Sequence, residues 1–239
     1  MNEAVAAKAG EVWALRARVE HEAARRFDRL AAAIPRFDPE SSIPALLRTA
    51  ADDERRHAAL CTDLAAAYGH RAHDPENDAR VAPPGLTARD AVLYEMVAAC
   101  CITETESVAT VTTLLARSLD PNVEKVLRAI ARDEVGHGRM GWAHLAREAS
   151  RRDVAFLAQW VPAMLSGSVE DALFSPAESK SEPDDLLRHG IFPVARKREV
   201  FVGTLEEVVF PGLERFRINV RPARGWIADR LKVSLRRPG

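Results

Sequence analysis

Two Glu-x-x-His pairs stand where a helical chain can least tolerate them. Glu54 and His57 lie in "ADDERRHAALC", residues 51–61, and Glu134 and His137 in "ARDEVGHGRMGW", residues 131–142. Each pair interrupts an apolar stripe that steps by threes and fours. One stripe reads Leu47, Ala50, Glu54, His57, Cys61, Leu64; the other reads Leu127, Ile130, Glu134, His137, Gly141, Leu145. The i, i+3 spacing puts Glu and His side by side on the face that must turn inward. An unpaired carboxylate on that face costs several kcal/mol or takes up a proton. Two more stretches repeat the conflict. Glu20 falls among Trp13, Ala23, Phe27, Leu30 and Ile34, and Glu104 among Tyr94, Val97, Cys101, Val108, Val111 and Leu115. A pair of divalent cations shared by all four stripes removes the difficulty, and only a bundle brings the four together.

The rest of the chain agrees with a bundle. Helices are expected over about Glu3–Ile34, from "SSIPALL" to Tyr68 with Gly69 as the stop, over Ala88–Ser118, and over Pro121–Ser150. Short, long and short links join them, the long one being residues 70–87, rich in Pro, Asp and Asn. That is a four-helix bundle with one long crossover. After Ser150, "RRDVAFLAQWVPAML" reads as a fifth helix and "ARKREVFVGTLEEVVFPGLERF" as a sixth that Pro211 kinks or ends. The expected organisation is all-α: a bundle over 1–150, a helical extension packed on it over 151–216, and a basic tail over 217–239.

Composition excludes several classes. With 47% hydrophobic residues in 239, one sizeable core is affordable, yet no apolar run approaches the ~20 residues that cross a bilayer. A formal charge of −1 argues against a nucleic-acid binder. Three cysteines, Cys61, Cys100 and Cys101, form neither a disulfide framework nor a Cys-x-x-Cys knuckle, and the charged N-terminus lacks a signal-peptide centre. A cytoplasmic protein is the expectation.

The donor set suits two metal ions. Carboxylates bridge hard cations, imidazole suits iron, and one Glu from each of two helices plus Glu-x-x-His from each of the others makes a di-iron or di-manganese carboxylate site. The six ligands are Glu20, Glu54, His57, Glu104, Glu134 and His137. Glu22 competes with Glu20, and Glu106 with Glu104, but the stripes favour Glu20 and Glu104. Asp53 and Asp133, each just before a ligand glutamate, can accept the free N–H of a histidine from a neighbouring helix or stand exposed as ordinary helix acids. Tyr94, Trp13 and Trp142 are expected in the core rather than in an electron relay.

This pattern resembles the ferritin-like di-iron superfamily over Trp13–Leu145. "EHEAARRF" is similar to the first-ligand segment of rubrerythrins and aldehyde-deformylating oxygenases, and "ITETESVA" and "ARDEVGHGRMGWAHL" are similar to the third- and fourth-helix segments of those oxygenases. The resemblance implies two iron ions, with manganese or a mixed Mn/Fe pair as the other loading, and activation of dioxygen or peroxide. Departures matter. The rubredoxin cysteines of a full rubrerythrin are missing, and Ile130 stands where arylamine oxygenases place a third histidine. The chain continues for some ninety residues beyond the bundle, and extra helices on such a bundle shape a substrate pocket in the deformylating oxygenases, whose length is similar. The expected function is therefore an oxidase or oxygenase of a small organic molecule, with O2 and an external reductase as partners and a homodimer allowed. A ferroxidase or peroxide-scavenging protein is the alternative, and a non-catalytic bundle the third reading. The tail "LKVSLRRPG" is somewhat similar to peptides that direct cargo into encapsulin shells, with Leu231, Val233 and Leu235 on one edge of an extended chain.

Overall fold

A computed structural model describes residues 2–72, 81–175 and 185–234. The fold is all-α, as expected, with no strand among the described residues. The long elements are α1 (Glu3–Ala33), α2 (Ile43–Ala67), α3 (Ala88–Met96) running through a π-helical segment, Val97–Thr103, into α4 (Glu104–Leu115), and α5 (Pro121–Ala149). Shorter helices follow: α6 (Val161–Ser168), α7 (Asp185–Arg188), α8 (Val194–Thr204), α9 (Phe210–Glu214) and α10 (Arg221–Ser234). The order, long helical stretches followed by shorter C-terminal helices, is the one the sequence led us to expect.

Local chemistry sets the helix ends. The Asn2 side chain accepts from the Ala4 N–H at 3.0 Å, and the Thr87 hydroxyl accepts from the Asp90 N–H at 3.1 Å, each satisfying an amide that a first helical turn leaves without a partner. Gly69 follows α2 at φ 79°, a left-handed conformation that costs glycine little, and its N–H closes on Ala66 O at 2.9 Å.

Four expectations change. The third stretch is not one regular helix, because Val97–Thr103 widens to π geometry, with the Thr103 hydroxyl donating to Ala98 O, five residues back, at 3.0 Å. The expected fifth helix begins as a 3-10 turn, Ala155–Gln159, and α6 starts anew at Val161 with Pro162 in its first turn, where the missing N–H is harmless. The sixth does not end at Pro211. A second π segment, Leu205–Val209, links α8 to α9 and accommodates the proline in the first turn of α9. Within 217–239, expected to be a tail, α10 buries Ala223 and Ile227. Leu231 and Val233 are therefore helical rather than on an extended edge, and residues 235–239, with Leu235, lie outside those described.

The chain divides into two compact units. The first takes the described parts of Met1–Arg80, Val111–Met140 and Glu182–Ile191. In it α1 packs along α2, and Leu186 and Ile191 close against Val5 and Ala9. Trp13, 1% exposed, donates its indole N–H to His189 O at 3.1 Å, so it is a core anchor. The second unit takes the described parts of Val81–Thr110, Gly141–Ser181 and Phe192–Gly239. Its core joins Leu93, Cys101, Leu145, Leu157, Phe201 and Phe210, with Tyr94 buried and Trp142 packed against it.

Candidate metal centre

Helices α2 and α5 carry the two Glu-x-x-His pairs, and both pairs are buried. Glu54 and His57 are 0% exposed, Glu134 1% and His137 4%, while Glu20 on α1 is 7% exposed. One ligand atom from each of Glu20, Glu54, His57 and Glu134 lies within 4.8 Å of all the others, and the same spacing holds among Glu54, Glu134 and His137. The first unit thus brings five of the six expected residues together. Glu104 opens α4 directly after the π segment, 5% exposed, in the second unit.

Glu54 faces one imidazole with each oxygen. Its Oε2 lies 3.4 Å from His57 Nδ1, and its Oε1 lies 2.9 Å from His137 Nδ1. Despite that short distance, His137 Nδ1 makes no hydrogen bond, because the geometry is wrong for one. Glu134 Oε1 approaches His57 Nδ1 at 3.7 Å. Two ring nitrogens and several carboxylate oxygens therefore converge on a common volume without bonding one another well, as donors to a cation do.

The opposite ring nitrogens are held by aspartates, each on the other helix. His57 Nε2 lies 3.1 Å from Asp133 Oδ2, and His137 Nε2 lies 3.3 Å from Asp53 Oδ2. An aspartate accepting at Nε2 fixes the proton there and leaves Nδ1 with its lone pair toward the cluster. Burial first, offset in part by Glu20 and Asp133, pushes the His57 pKa down, which keeps the ring neutral and able to ligate. Burial would raise Asp133, but hydrogen bonds from Arg132, His57 and Arg56 outweigh it and bring its pKa to about 2. The two aspartates orient histidines rather than lying idle on the surface.

Two arginines at the centre escaped the sequence reading. Arg16 Nε donates to Glu20 Oε1 at 3.3 Å, and its guanidinium lies over the Trp13 ring at 5.8 Å. The signal was available, since Arg16 stands four residues before Glu20 on the same stripe. Arg56 joins Asp53 and Asp133, and no periodicity marks it. Cys61 is buried beside the cluster. Burial first, and then the Glu20 carboxylate, raise its thiol pKa, so it stays neutral and does not compete as a thiolate.

The register choices follow the stripes. Glu22 is half exposed and lies 3.9 Å from Arg18, while Glu106 accepts from the Thr110 hydroxyl at 2.8 Å on its own helix. Buried carboxylates of Glu20, Glu54 and Glu134 and two imidazoles with inward Nδ1 atoms fit a dinuclear divalent centre by donor chemistry.

The sequence model of the Rubrerythrin family matches residues 15–144, more than half of the chain. That span contains both Glu-x-x-His pairs, Glu20 and Glu104. No curated protein matches the chain.

Proposed function

The chain belongs to the rubrerythrin family of ferritin-like di-iron carboxylate proteins, and from that premise we propose that it is a non-haem di-iron oxidase or oxygenase acting on a small organic substrate. The observation that carries the dimetal part is Glu54, fully buried with one oxygen toward each imidazole, so that one carboxylate would serve both halves of the donor set. Glu104, buried in the second unit, is the remaining member of the proposed ligand set with Glu20, Glu54, His57, Glu134 and His137. A metal pair held by these residues would supply the redox chemistry, with an external reductase as electron donor and O2 as acceptor.

The chain's own residues prepare that centre. Asp53 and Asp133 hold the Nε2 protons, so both histidines offer Nδ1 without rearrangement. Arg16 donates to one oxygen of Glu20, which would leave the other oxygen for a bound cation. Burial excludes water from all five carboxylate and imidazole groups of the first unit, which strengthens every electrostatic contact among them. Support for an organic substrate comes from the helices after α5. They build a second apolar core around Leu157, Phe201 and Phe210, an investment that storage or peroxide removal does not require.

Loading the metal-free protein with Fe(II) without air and then admitting O2 tests the reading, with a reductase and a panel of small aldehydes, amines and alcohols. Substrate oxidation coupled to O2 uptake is expected. Turnover confined to hydrogen peroxide would instead favour a peroxide-scavenging protein, and turnover confined to excess Fe(II) would favour a ferroxidase.

A further inference from the structure

Arg56 closes a chain of contacts through both halves of the centre. Its Nη2 donates to Asp133 Oδ2 at 2.7 Å and to Asp53 Oδ1 at 2.8 Å. Asp133 in turn holds His57 at 3.1 Å, and Asp53 holds His137 at 3.3 Å. The path His57–Asp133–Arg56–Asp53–His137 therefore runs through one nitrogen of one guanidinium.

We propose that Arg56 is a positioning residue that locks the two imidazoles into one unit, so that two metal ions load together rather than independently. This rests on the dimetal reading above. The Arg56 side chain is 45% exposed, so its pairings with the two aspartates compete with water, and holding them closed costs rotamer freedom. An ion bound at His57 fixes that ring, Asp133 and hence Arg56. The ordering that Asp53 and His137 need is then already in place, and the second ion does not meet that cost again.

The chain of contacts is not symmetric, and the asymmetry makes the inference specific. Asp133 also receives Arg132 Nε on its Oδ1 at 3.1 Å. Asp133 and His57 therefore keep a cationic support when Arg56 is lost, and the loss falls mainly on Asp53 and His137. Arg55, the adjacent arginine, pairs instead with Asp52 and Asp28 and touches neither aspartate of the path.

The test titrates Co(II) alone into the metal-free full chain, followed by calorimetry and by the visible bands of the bound ion. Wild type is expected to take two ions in one cooperative transition. R56Q is expected to take them in two resolved steps, the second weakened roughly 10- to 100-fold. R56K, which keeps a cation able to reach both aspartates, recovers part of the loss, and R55Q behaves as wild type. Unchanged helical circular dichroism of metal-free R56Q separates this from misfolding. The proposal is overturned if R56Q and wild type superimpose, if R56Q weakens both steps equally, or if wild type already loads in two independent steps. A wild type that takes up no Co(II) sinks the dimetal reading itself, and this inference with it.

Discussion

Asp133 on α5 holds the Nε2 of His57 on α2 at 3.1 Å, and α2 returns the contact, because Asp53 lies 3.3 Å from His137 Nε2. The two Asp-Glu-x-x-His segments therefore act on each other rather than each on itself. Asp133→Asn tests what that exchange does. An amide turned with its NH2 toward Nε2 favours the tautomer with a proton on Nδ1, the atom aimed at the cluster. Metal affinity is expected to fall roughly 10- to 100-fold with little change in helix content. Competition with a chromophoric chelator measures it, and an unchanged affinity would show that the aspartate is only a surface acid.

Metal removal has a thermal consequence. Without a bound cation, Glu20, Glu54 and Glu134 crowd within 4.8 Å, with Arg16 as the guanidinium paired to Glu20. Folding then depends on proton uptake or on repulsion being tolerated. An ion present at ~100 times its Kd adds about 2.7 kcal/mol to the folded state. The melting temperature is expected to fall on chelation and to return on reloading, as scanning calorimetry would show; equal melting temperatures count against the site.

Ligands and register controls should separate cleanly. Glu54→Ala or Glu134→Ala removes a carboxylate that is almost fully buried against His57, and metal occupancy should drop below two ions per chain. Glu22→Ala loses only a half-exposed pairing with Arg18, and Glu106→Ala only a contact within its own helix, so both should stay within about 1 kcal/mol of wild type and bind metal normally. Elemental analysis of these four variants and of Glu20→Ala decides; a Glu22→Ala protein as depleted as Glu20→Ala would mean that α1 is turned differently.

How far the sequence carried the argument differs from element to element. The stripes of α2 and α5 were legible because burial follows strict three- and four-residue steps: Leu47, Ala50, Cys61, Leu127, Ile130 and Leu145 are all buried. The third stretch was not. Val97 to Ile102 is buried on every side, so no amphipathic phase remains to reveal an extra residue in a turn, and the π segment is invisible to periodicity. Further along, Leu114 rather than Leu115 takes the buried position. In α1, Ala24 is buried where Ala23 was expected, since neighbouring alanines give the pattern nothing to choose between. Arg56 was unreadable for a different reason: its role depends on Asp133, which lies far away in sequence and joins it only through folding.

Acid should find a weak point away from the metal. In the second unit, Glu148 receives Arg89 Nε and Nη2 at 3.0 and 2.9 Å and Arg152 Nε at 2.6 Å. Burial alone would raise its pKa, but the hydrogen bonds from Arg89 and Arg152 hold it below the ordinary 4.5. A carboxylate depressed on folding stabilises the protein above its unfolded pKa, and that contribution disappears as pH falls through the folded value. Wild type should therefore lose stability below about pH 4.5 through this group, whereas Glu148→Gln should lack that component and be less stable at neutral pH by about 3 kcal/mol. Urea midpoints measured across pH 3–7 compare the two; parallel profiles would remove Glu148 from the acid response.

Two glycines of α5 should respond to alanine in opposite directions. A Cβ on Gly141 would stand 2.3 Å from Cys100 Cβ and 3.0 Å from the Cys100 carbonyl carbon, so the π segment passes too close for any side chain. Rigid backbone cannot yield as the end of a long side chain can, and Gly141→Ala should destabilise by about 3 kcal/mol. Gly136, exposed between Glu134 and His137, would meet nothing within 4 Å. There alanine only removes the backbone freedom that glycine brings to a helix interior, a gain of about 1 kcal/mol. Urea unfolding of the two metal-free variants should move their midpoints to opposite sides of wild type. Gly136→Ala should also leave Co(II) affinity unchanged, because the helical path that places Glu134 and His137 is the same. A destabilised Gly136→Ala would mean that this turn of α5 is not the regular helix from which Glu134 and His137 reach the cluster.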